Sequence, residues 1–388
     1  MSSTRSQPRV LLVVNADWYF WSHRLRLAKA LQASGCEVVV AAAPERGYAR
    51  KIEEQGLRFI PLPLLRRSTA IHRELVTLHA LFATYRRERP DLVHHVTIKP
   101  VLYGSLVARA VGIPRVINAI PGLGYMFLGH GWRGWLRRRA ASLGYRLALH
   151  GDWVRVIFQN PDDRVLFVSR GLVPERRALV LRGAGVDVDR FGPGPEPAGI
   201  PVVLLASRLL WDKGLRELIE ATRRLKRERV TCRVVLVGAP DPENPKSVPP
   251  ETIRAWEAEG LIEWWGLRED MPEILRAANL VVLPSYREGV PKILLEAAAC
   301  GRAIVATDVP GCREIVRDGE NGMLVPPRDV DRLTTAIRTL LSDPFLRAEM
   351  GARGRKIVVD EFSDEQVVTQ TLAVYRQLLG DRWPDARA

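Results

Sequence analysis

The chain has 388 residues, of which 47% are hydrophobic and 26% are charged, and its formal net charge at pH 7 is +14. This length exceeds one ordinary core and favours two domains, while the globular composition excludes a disordered or fibrous chain. No apolar run approaches the roughly eighteen residues that span a bilayer, and the short polar start, residues 1–8, does not have the form of a signal peptide. The positive charge indicates an anionic partner, such as nucleic acid, anionic lipid or a phosphorylated substrate.

The basic excess is concentrated in the first half, because residues 92–151 contain no aspartate or glutamate. The four cysteines, Cys36, Cys232, Cys300 and Cys312, are scattered and form no CxxC pair. Their spacing favours reduced thiols in a cytoplasmic protein over a disulfide framework or a zinc site.

Short β-branched runs alternate with longer periodic segments through the first half of the chain. The predicted strands are residues 10–14, 37–42, 92–95, 115–118 and 154–158. The predicted helices include residues 24–33, 48–55, 71–87 and 103–111. Alternation of this kind builds a parallel sheet with helices on both faces.

Residues 132–149 carry a helical stripe that has two interpretations. Its apolar members are Trp132, Leu136, Ala140, Leu143 and Leu147. The first interpretation is an ordinary helix that buries this stripe in the first domain. The second is that the basic and aromatic segment 126–149 contacts an anionic membrane surface.

The second half repeats the alternation. Its predicted strands are residues 201–206, 232–237, 262–265, 280–283 and 303–306, and its helices include 214–226, 271–277, 291–300 and 330–341. The proline- and glycine-rich residues 192–197 between the halves can join neither a helix nor a sheet interior. We therefore predict an α/β protein with domains at 1–192 and 193–363, whose closing helix, about 364–382, packs back on the first domain. Ligands of such doubly wound domains bind at the carboxyl ends of the strands, here in a central cleft.

The most informative segment runs from Pro284 to Gly301. A buried strand ends at Leu283, and a helix is predicted to begin at Pro291 and to stop at Gly301. The helix N-terminus then presents free N–H groups and a positive dipole at the carboxyl edge of the sheet, which is a geometry that holds phosphate. Gly289 lets the backbone approach such a ligand closely.

Two carboxylates, Glu288 and Glu296, flank the start of this helix. They are eight positions apart, which is about 12 Å of rise along a helix. The paired carboxylates of a glycosidase are roughly 5–9.5 Å apart, so these two are not expected to act as one acid–base pair. Each is predicted to grip a different part of an extended ligand.

The Glu-x7-Glu pattern, with GRAIVATD at 301–308 and PGCREIV at 310–316, resembles the family 4 retaining glycosyltransferases of the GT-B fold. Three more segments carry the resemblance: GAGVD at 183–187 with Phe191, ASRL at 206–209 followed by Lys213 and Gly214, and DGENGMLV at 318–325. The resemblance covers nearly the whole chain. It implies two Rossmann-like domains facing a central cleft, an acceptor-binding one first and a donor-binding one second.

The resemblance also implies roles for individual residues. Arg208 and Lys213 would hold the diphosphate of a nucleotide-sugar donor and neutralise the departing nucleotide, a task suited to two fixed cations. Glu288 would contact the donor sugar, and Glu296 would bond the ribose hydroxyls. The remaining expected donor contacts are Gly289, Val290, Pro291 and Lys292 at the phosphates, and Gly266 and Leu267 near the base.

Within the family, the first half is similar to bacterial enzymes that extend lipid-diphosphate-linked saccharides. FWSHR at 20–24, VTIKP at 96–100 with YGS at 103–105, and GLG at 122–124 carry this narrower match. The chain has Pro121 where many members have a histidine, and Val96 where the second histidine of a His-x-His pattern stands, although His94 remains. No catalytic base is therefore named. His94 is kept as a catalytic candidate, and the alternative role for His94 or Lys99 is to position phosphates.

The leading hypothesis is transfer of a hexose or N-acetylhexosamine from a UDP-sugar to an undecaprenyl-diphosphate-linked saccharide, with retention and without a metal. The enzyme would lie in the cytoplasm, peripheral to the inner face of the bacterial membrane. Asp187-Val188-Asp189 imitates a metal-binding DxD motif but is interpreted as structural. The alternatives are a nucleotide-sugar epimerase of the same fold and a basic nucleic-acid-binding protein, although the chain has no RRM, KH or helix-turn-helix signature.

Overall fold

A computed structural model describes residues 7–65, 70–122, 131–242 and 244–384, with no side chains for 131–138 and 140. The chain divides into two compact units, one comprising Met1–Ala184 with Val367–Ala388 and the other Gly185–Gln366. Residues 126–130 of the predicted membrane segment and residues 123–124 of the GLG motif lie outside the described residues.

The described part of the first unit contains a parallel sheet of seven strands in the order β3-β2-β1-β4-β5-β6-β7. These strands are β1 (Arg9–Val14), β2 (Glu37–Ala42), β3 (Arg58–Pro61), β4 (Leu92–Val96), β5 (Val116–Ile120), β6 (Val154–Phe158) and β7 (Ala178–Val180). The central strands are buried on both faces, as expected for a parallel sheet covered by helices. The unpredicted β3 and β7 are edge strands of four and three residues, and β3 is partly exposed.

Seven helices of the described first unit connect these strands. They are α1 (Asp17–His23), α2 (Leu25–Ala33), α3 (Tyr48–Glu54), α4 (Ile71–Glu88), α5 (Ser105–Val111), α6 (Gly131–Ala148) and α7 (Pro161–Ser169). A π-helical turn, Pro100–Gly104, precedes α5. The helix predicted over 24–33 thus begins at Leu25, directly after the separate short helix α1.

The second unit contains a parallel sheet of six strands, counted over its described residues, in the order β10-β9-β8-β11-β12-β13. The strands are β8 (Val202–Ala206), β9 (Arg233–Val237), β10 (Glu263–Trp264), β11 (Leu280–Leu283), β12 (Ala303–Thr307) and β13 (Gly322–Val325). The helices are α8 (Leu215–Arg227), α9 (Pro250–Ala258), α10 (Met271–Arg276), α11 (Lys292–Ala299), α12 (Cys312–Ile315), α13 (Val330–Ser342) and α14 (Pro344–Phe362). The last helix, α15 (Asp364–Leu379), belongs to the first unit from Val367 onwards, as predicted for the closing helix.

The change from the first unit to the second comes at residues 184–185, eight positions before the predicted boundary. The N–H of Val186 donates to the carbonyl of Phe362 at 3.1 Å, and the N–H of Asp364 donates to the carbonyl of Val186 at 2.9 Å. Val186 and Phe191 are both buried in the core of the second unit. The proline- and glycine-rich stretch therefore lies inside the second unit and does not mark the boundary.

The stripe predicted on α6 is not buried where its side chains are described. Leu143 is 60% exposed and Leu147 is 50% exposed. The helix instead buries Tyr145, whose ring packs edge-on against Phe167 at 4.9 Å between centroids, and Ala148. The interpretation of this stripe as an ordinary core face is therefore wrong for its described members, since the large aromatic ring determines which side faces the sheet.

Candidate functional site

The loop after β8, residues 207–214, follows a strand that pairs with both β9 and β11. On the β11 side, Lys213 Nζ bonds Glu288 Oε1 at 2.5 Å, and both side chains are largely buried. The carbonyl of Asp212 accepts the N–H of Tyr286 at 2.9 Å. The structure thus brings the predicted Lys213 and Glu288 into direct contact at the turn before α11.

Arg208 lies in the same loop but contacts the β9 side. Its Nη1 bonds Asp241 Oδ2 at 3.2 Å, and its side chain is 47% exposed. The two predicted cations therefore have different carboxylate partners. Asp241 was not predicted, because it lies 33 positions away in a loop with no pattern of its own.

Two glycines fix how closely these loops approach one another. Gly214 has φ +74, and a Cβ there would lie 2.0 Å from the carbonyl oxygen of Pro284. Gly311 has φ +86, and a Cβ there would lie 1.7 Å from the carbonyl oxygen of Gly289. Only glycine allows both the backbone conformation and the contact. The closeness of Gly311 to the turn was not predicted, because spacing does not reveal contacts between distant loops.

The turn after β11 leads directly into the helix α11. α11 begins at Lys292 with Pro291 as the N-cap, one residue later than predicted. Gly301 follows the helix with φ +69, as expected of its C-terminal stop. The N–H of Leu294 donates to the carbonyl of Pro291 at 3.0 Å, and the start of α11 carries the positive end of the helix dipole, so this end favours an anion.

Glu296 lies one turn further along α11 and differs from Glu288 in its surroundings. Its side chain is 13% exposed, and the nearest cation, Lys292 Nζ, is 3.9 Å from its carboxylate. Burial raises the pKa of Glu296 to about 6, against the opposing charges of Lys292 and Arg190. Glu288 is thus held by a short ion pair with Lys213, whereas Glu296 is poorly solvated and lies further from its cation.

Gly266 and Leu267 follow β10 and are tied to the end of β9. The carbonyl of Gly266 accepts the N–H of Gly238 at 2.7 Å, and the indole N–H of Trp264 donates to the carbonyl of Gly238 at 2.9 Å. Leu267 is 63% exposed. The expected nucleotide contacts thus share one edge of the second sheet, the carboxyl edge, with Lys213 and Glu288.

His94 lies in the first unit, in the middle of β4 rather than at its end. It is 1% exposed, and its Nδ1 is 2.6 Å from the hydroxyl of Tyr375 on α15. Burial, with a smaller effect of the charge on Arg24, lowers the pKa of His94 well below its usual value. A role for His94 in catalysis therefore stays a prediction, and its surroundings favour a neutral, packed imidazole.

His95, which follows His94 in β4, and the predicted Lys99 both have partners within the first unit. His95 is fully buried, with Nε2 at 2.7 Å from the Tyr85 hydroxyl and Nδ1 at 2.8 Å from Asn118 Oδ1. Lys99 donates to Glu74 Oε1 at 2.7 Å, so its charge is neutralised within the unit. This pairing weakens the expectation that Lys99 positions a phosphate.

The DxD-like segment has a local structural use. The carboxylate of Asp187 accepts the backbone N–H of Arg190 at 3.0 Å, and the described residues contain no group of three or more histidine, cysteine or acidic side chains suited to a metal ion. The four cysteines are free thiols. Every helix in the described part of the chain is too short or too polar to span a lipid bilayer.

Two family models match the chain, one in each half. Residues 9–146 match the family described as "Glycosyl transferase 4-like", and residues 200–343 match "Glycosyl transferases group 1". The chain is 30% identical to an alpha-maltose-1-phosphate synthase of Mycolicibacterium smegmatis over 75% of this chain and 80% of the relative.

A second relative and a solved structure match over nearly their whole length. The relative is the N,N'-diacetylbacillosaminyl-diphospho-undecaprenol alpha-1,3-N-acetylgalactosaminyltransferase of Campylobacter jejuni, which is 28% identical over 93% of this chain and 96% of its own. The structure is that of Anabaena HepE in complex with UDP-glucose, which has a TM-score of 0.78 at 18% identity and covers 95% of this chain and 99% of its own.

Proposed function

The chain belongs to the family 4 glycosyltransferases of the GT-B fold, and we propose that it transfers a hexose or an N-acetylhexosamine from a UDP-sugar to a lipid-diphosphate-linked saccharide. The name of the Campylobacter jejuni relative, similar over nearly its whole length, includes an acceptor of this class. The choice of UDP over GDP rests on the family resemblance.

The observation that carries the proposal is the Lys213–Glu288 contact at the N-terminal end of α11. A donor diphosphate at this helix end would replace Glu288 as the partner of Lys213. That exchange releases the carboxylate of Glu288 to bond hydroxyls of the donor sugar. Lys213 and the helix N–H groups then stabilise the negative charge that develops on the leaving nucleoside diphosphate.

Arg208 and Glu296 would complete the donor site. Arg208 is half exposed and bonds Asp241, and a donor phosphate would compete with that carboxylate for its guanidinium. Glu296 would accept hydrogen bonds from the ribose hydroxyls, which would replace part of its missing solvation.

We expect the configuration at the sugar to be retained, with attack on the face that the diphosphate leaves. The departing phosphate oxygen then accepts the proton of the acceptor hydroxyl, so no side-chain base is required. We also expect activity without a divalent metal, because Lys213, Arg208 and the dipole of α11 offer positive charge at the diphosphate.

The exposed face of α6 supports binding at the cytoplasmic face of the bacterial membrane. Leu143 and Leu147 are at least half exposed, and Arg139 and Arg146 are exposed on the same helix. Exposed leucines flanked by arginines are typical of helices that lie on anionic lipid. A lipid-linked acceptor would be presented at such a surface.

The proposed reaction is tested by nucleotide release. UDP- and GDP-sugars are incubated with short-chain polyprenyl-diphosphate saccharides, and products are identified by mass. We expect UDP release only when donor and acceptor are both present, and unchanged release after a chelator is added. Consumption of the donor without an acceptor would instead indicate an epimerase and would overturn the proposal.

A further inference from the structure

The first unit contains a buried arginine with no counter-charge. Arg24 lies at the junction of α1 and α2 and is 7% exposed. The only hydrogen bond of its side chain to the described residues runs from Nη1 to the carbonyl of His23 at 3.2 Å, and its Nε has no partner. No carboxylate of the described residues lies within ion-pair distance of it.

Two of the other buried arginines have fuller sets of partners, whereas Arg177, at 7% exposure, also has an unpartnered Nε but donates to the carbonyls of Leu149 and Gly151. Arg347, at 5% exposure, bonds both oxygens of Glu196 at 2.7 and 2.9 Å. Arg302, at 3% exposure, donates to four backbone carbonyls. A buried cation that lacks such partners costs several kcal/mol, so Arg24 destabilises the ligand-free unit.

A second unpartnered nitrogen belongs to the same surroundings. His94 is 1% exposed, and its Nε2 has no hydrogen-bond partner although Nδ1 is held by Tyr375. Phe20 and Leu27, on either side of Arg24 in the sequence, belong to the same buried cluster as Tyr375, the partner of His94, so Arg24 and His94 border one cluster. The two orphaned groups lie on the face of the first sheet that α2 and α15 cover.

The adjoining strand ends add two more unsatisfied polar atoms. Asn15 follows β1 and Thr97 follows β4, and the register pairs Val14 with Val96, so these residues stand side by side at the carboxyl edge. Asn15 Oδ1 and Thr97 Oγ1 are buried without partners. Thr97 has φ 77, a conformation that a β-branched residue adopts only under constraint.

We propose that Arg24 and His94 form a phosphate subsite in the first unit, which binds the diphosphate of the lipid-linked acceptor. This rests on the proposed function for the identity of the acceptor. An unpaired guanidinium matches two phosphate oxygens at once, and it is the group that a phosphate would neutralise. His94 Nε2 is the nearby nitrogen left for a third oxygen, and the polar ends of β1 and β4 would contact the first sugar.

The test compares Arg24→Gln with Arg26→Gln, which makes the same change at an exposed position two residues further on, in α2. Binding of inorganic pyrophosphate is measured by calorimetry with saturating UDP, so that the donor site is occupied. We expect wild type and Arg26→Gln to bind alike and Arg24→Gln to bind about tenfold or more weakly, from the loss of a charged hydrogen bond. Arg24→Lys keeps the positive charge but loses the paired donors of the guanidinium, so its affinity for pyrophosphate should lie between those of wild type and Arg24→Gln.

Stability separates a ligand-binding role of Arg24 from a structural one. Without pyrophosphate, we expect Arg24→Gln to melt at the wild-type temperature or above it, because an uncompensated charge has been removed. A structural arginine would instead lower the melting temperature by several degrees when replaced. A destabilised Arg24→Gln that binds pyrophosphate as well as wild type would overturn the proposal.

Kinetics with a polyprenyl-diphosphate saccharide identify the ligand. We expect Arg24→Gln to raise the KM for this acceptor about tenfold and to leave the KM for the UDP-sugar unchanged. An unchanged acceptor KM, with weakened pyrophosphate binding, would mean a free-anion site and would overturn the acceptor assignment. If wild type transferred no sugar but the binding difference persisted, the proposed function would fail while the phosphate subsite stood.

Discussion

The carboxyl edges of the two sheets differ in how their charges are satisfied. In the second unit, Lys213 and Arg208 each have a carboxylate partner. In the first unit, Arg24 and His94 are more deeply buried and each retains a nitrogen without a partner. Among these residues, the cations of the second unit thus have carboxylate partners, whereas Arg24 and His94 of the first unit have none.

This difference shows two ways of preparing a polar site. A paired edge folds without penalty and must exchange its internal partners for a ligand. Unpaired buried polar groups destabilise the folded protein until a ligand pairs with them. Substitutions of such groups are therefore expected to weaken ligand binding and to raise the stability of the ligand-free protein.

The largest effect should come from the paired edge. Lys213→Ala removes the cation that we assign to the leaving diphosphate, and we expect kcat to fall by about a thousandfold, as when a fixed group that stabilises developing charge is lost. Steady-state rates of UDP release measure it. Lys356→Ala, at an exposed lysine of the same unit, is the matched control and should retain activity. A loss of less than about tenfold in Lys213→Ala would remove Lys213 from the mechanism.

The close packing of the same edge can be tested with two glycines of identical φ. Gly214 and Gly319 both have φ +74, but only at Gly214 would a Cβ meet a neighbour, the carbonyl oxygen of Pro284 at 2.0 Å. We expect Gly319→Ala to cost about 1 kcal/mol through backbone strain, and Gly214→Ala about 3 kcal/mol because overpacking adds to it. Urea unfolding measures both variants. Equal losses of stability in the two variants would mean that the loop after β8 shifts to accommodate the added methyl group.

Glu296, unlike Lys213 and Arg208, has no close ion pair, and it should make the stability of the folded protein depend on pH. Burial raises its pKa from 4.5 to about 6, so the folded state binds more protons than the unfolded state between these values. Glu296 therefore contributes to folding below about pH 4.5. This contribution is lost as pH rises through about 6, which lowers the free energy of unfolding by about 2 kcal/mol. Glu296→Gln should remove this loss and be more stable than wild type at pH 8, with weaker UDP binding.

Denaturation of wild type and Glu296→Gln at pH 5 and pH 8 measures the effect. The advantage of the variant should shrink at pH 5, where the wild-type carboxyl is mostly protonated. An advantage that did not change with pH would show that Glu296 is not the titrating group.

The sequence predicted the paired edge better than the unpaired one. Residues 280–283 form the predicted strand, and the turn that follows contains Glu288 and leads to α11 one residue later than expected. These features are local, because strand length, proline and glycine positions and helix dipole all act within about twenty residues. The partner of Arg208 is not local, so Asp241 could not be predicted.

The features missed in the first unit share a physical cause. Arg24 was part of a motif, but only the fold shows that no carboxylate reaches it. The stripe on α6 was misassigned because Tyr145, rather than Leu143 and Leu147, is buried in the core.

In the second unit, α14 was not predicted, since Gly351 and Gly354 weaken its helical pattern. Gly351 permits close packing, because a Cβ there would lie 2.1 Å from the carbonyl oxygen of Gly301.

The smallest effect compares two buried tyrosine–histidine pairs of the first unit. Tyr375 holds His94 at 2.6 Å and Tyr85 holds His95 at 2.7 Å, and all four side chains are buried. Replacing either tyrosine by phenylalanine leaves one ring nitrogen unpaired, so we expect each variant to lose about 1 kcal/mol of stability in urea unfolding.

Function should separate the two variants. His95 has partners for both ring nitrogens, whereas His94 keeps Nε2 open and depends on Tyr375 for its orientation. Tyr375→Phe should therefore raise the KM for the lipid-linked acceptor about threefold, the effect of a partly lost hydrogen bond, while Tyr85→Phe leaves it unchanged. Equal acceptor KM values in both variants would mean that the His94–Tyr375 pair only supports the fold, and Arg24 would then act without the imidazole.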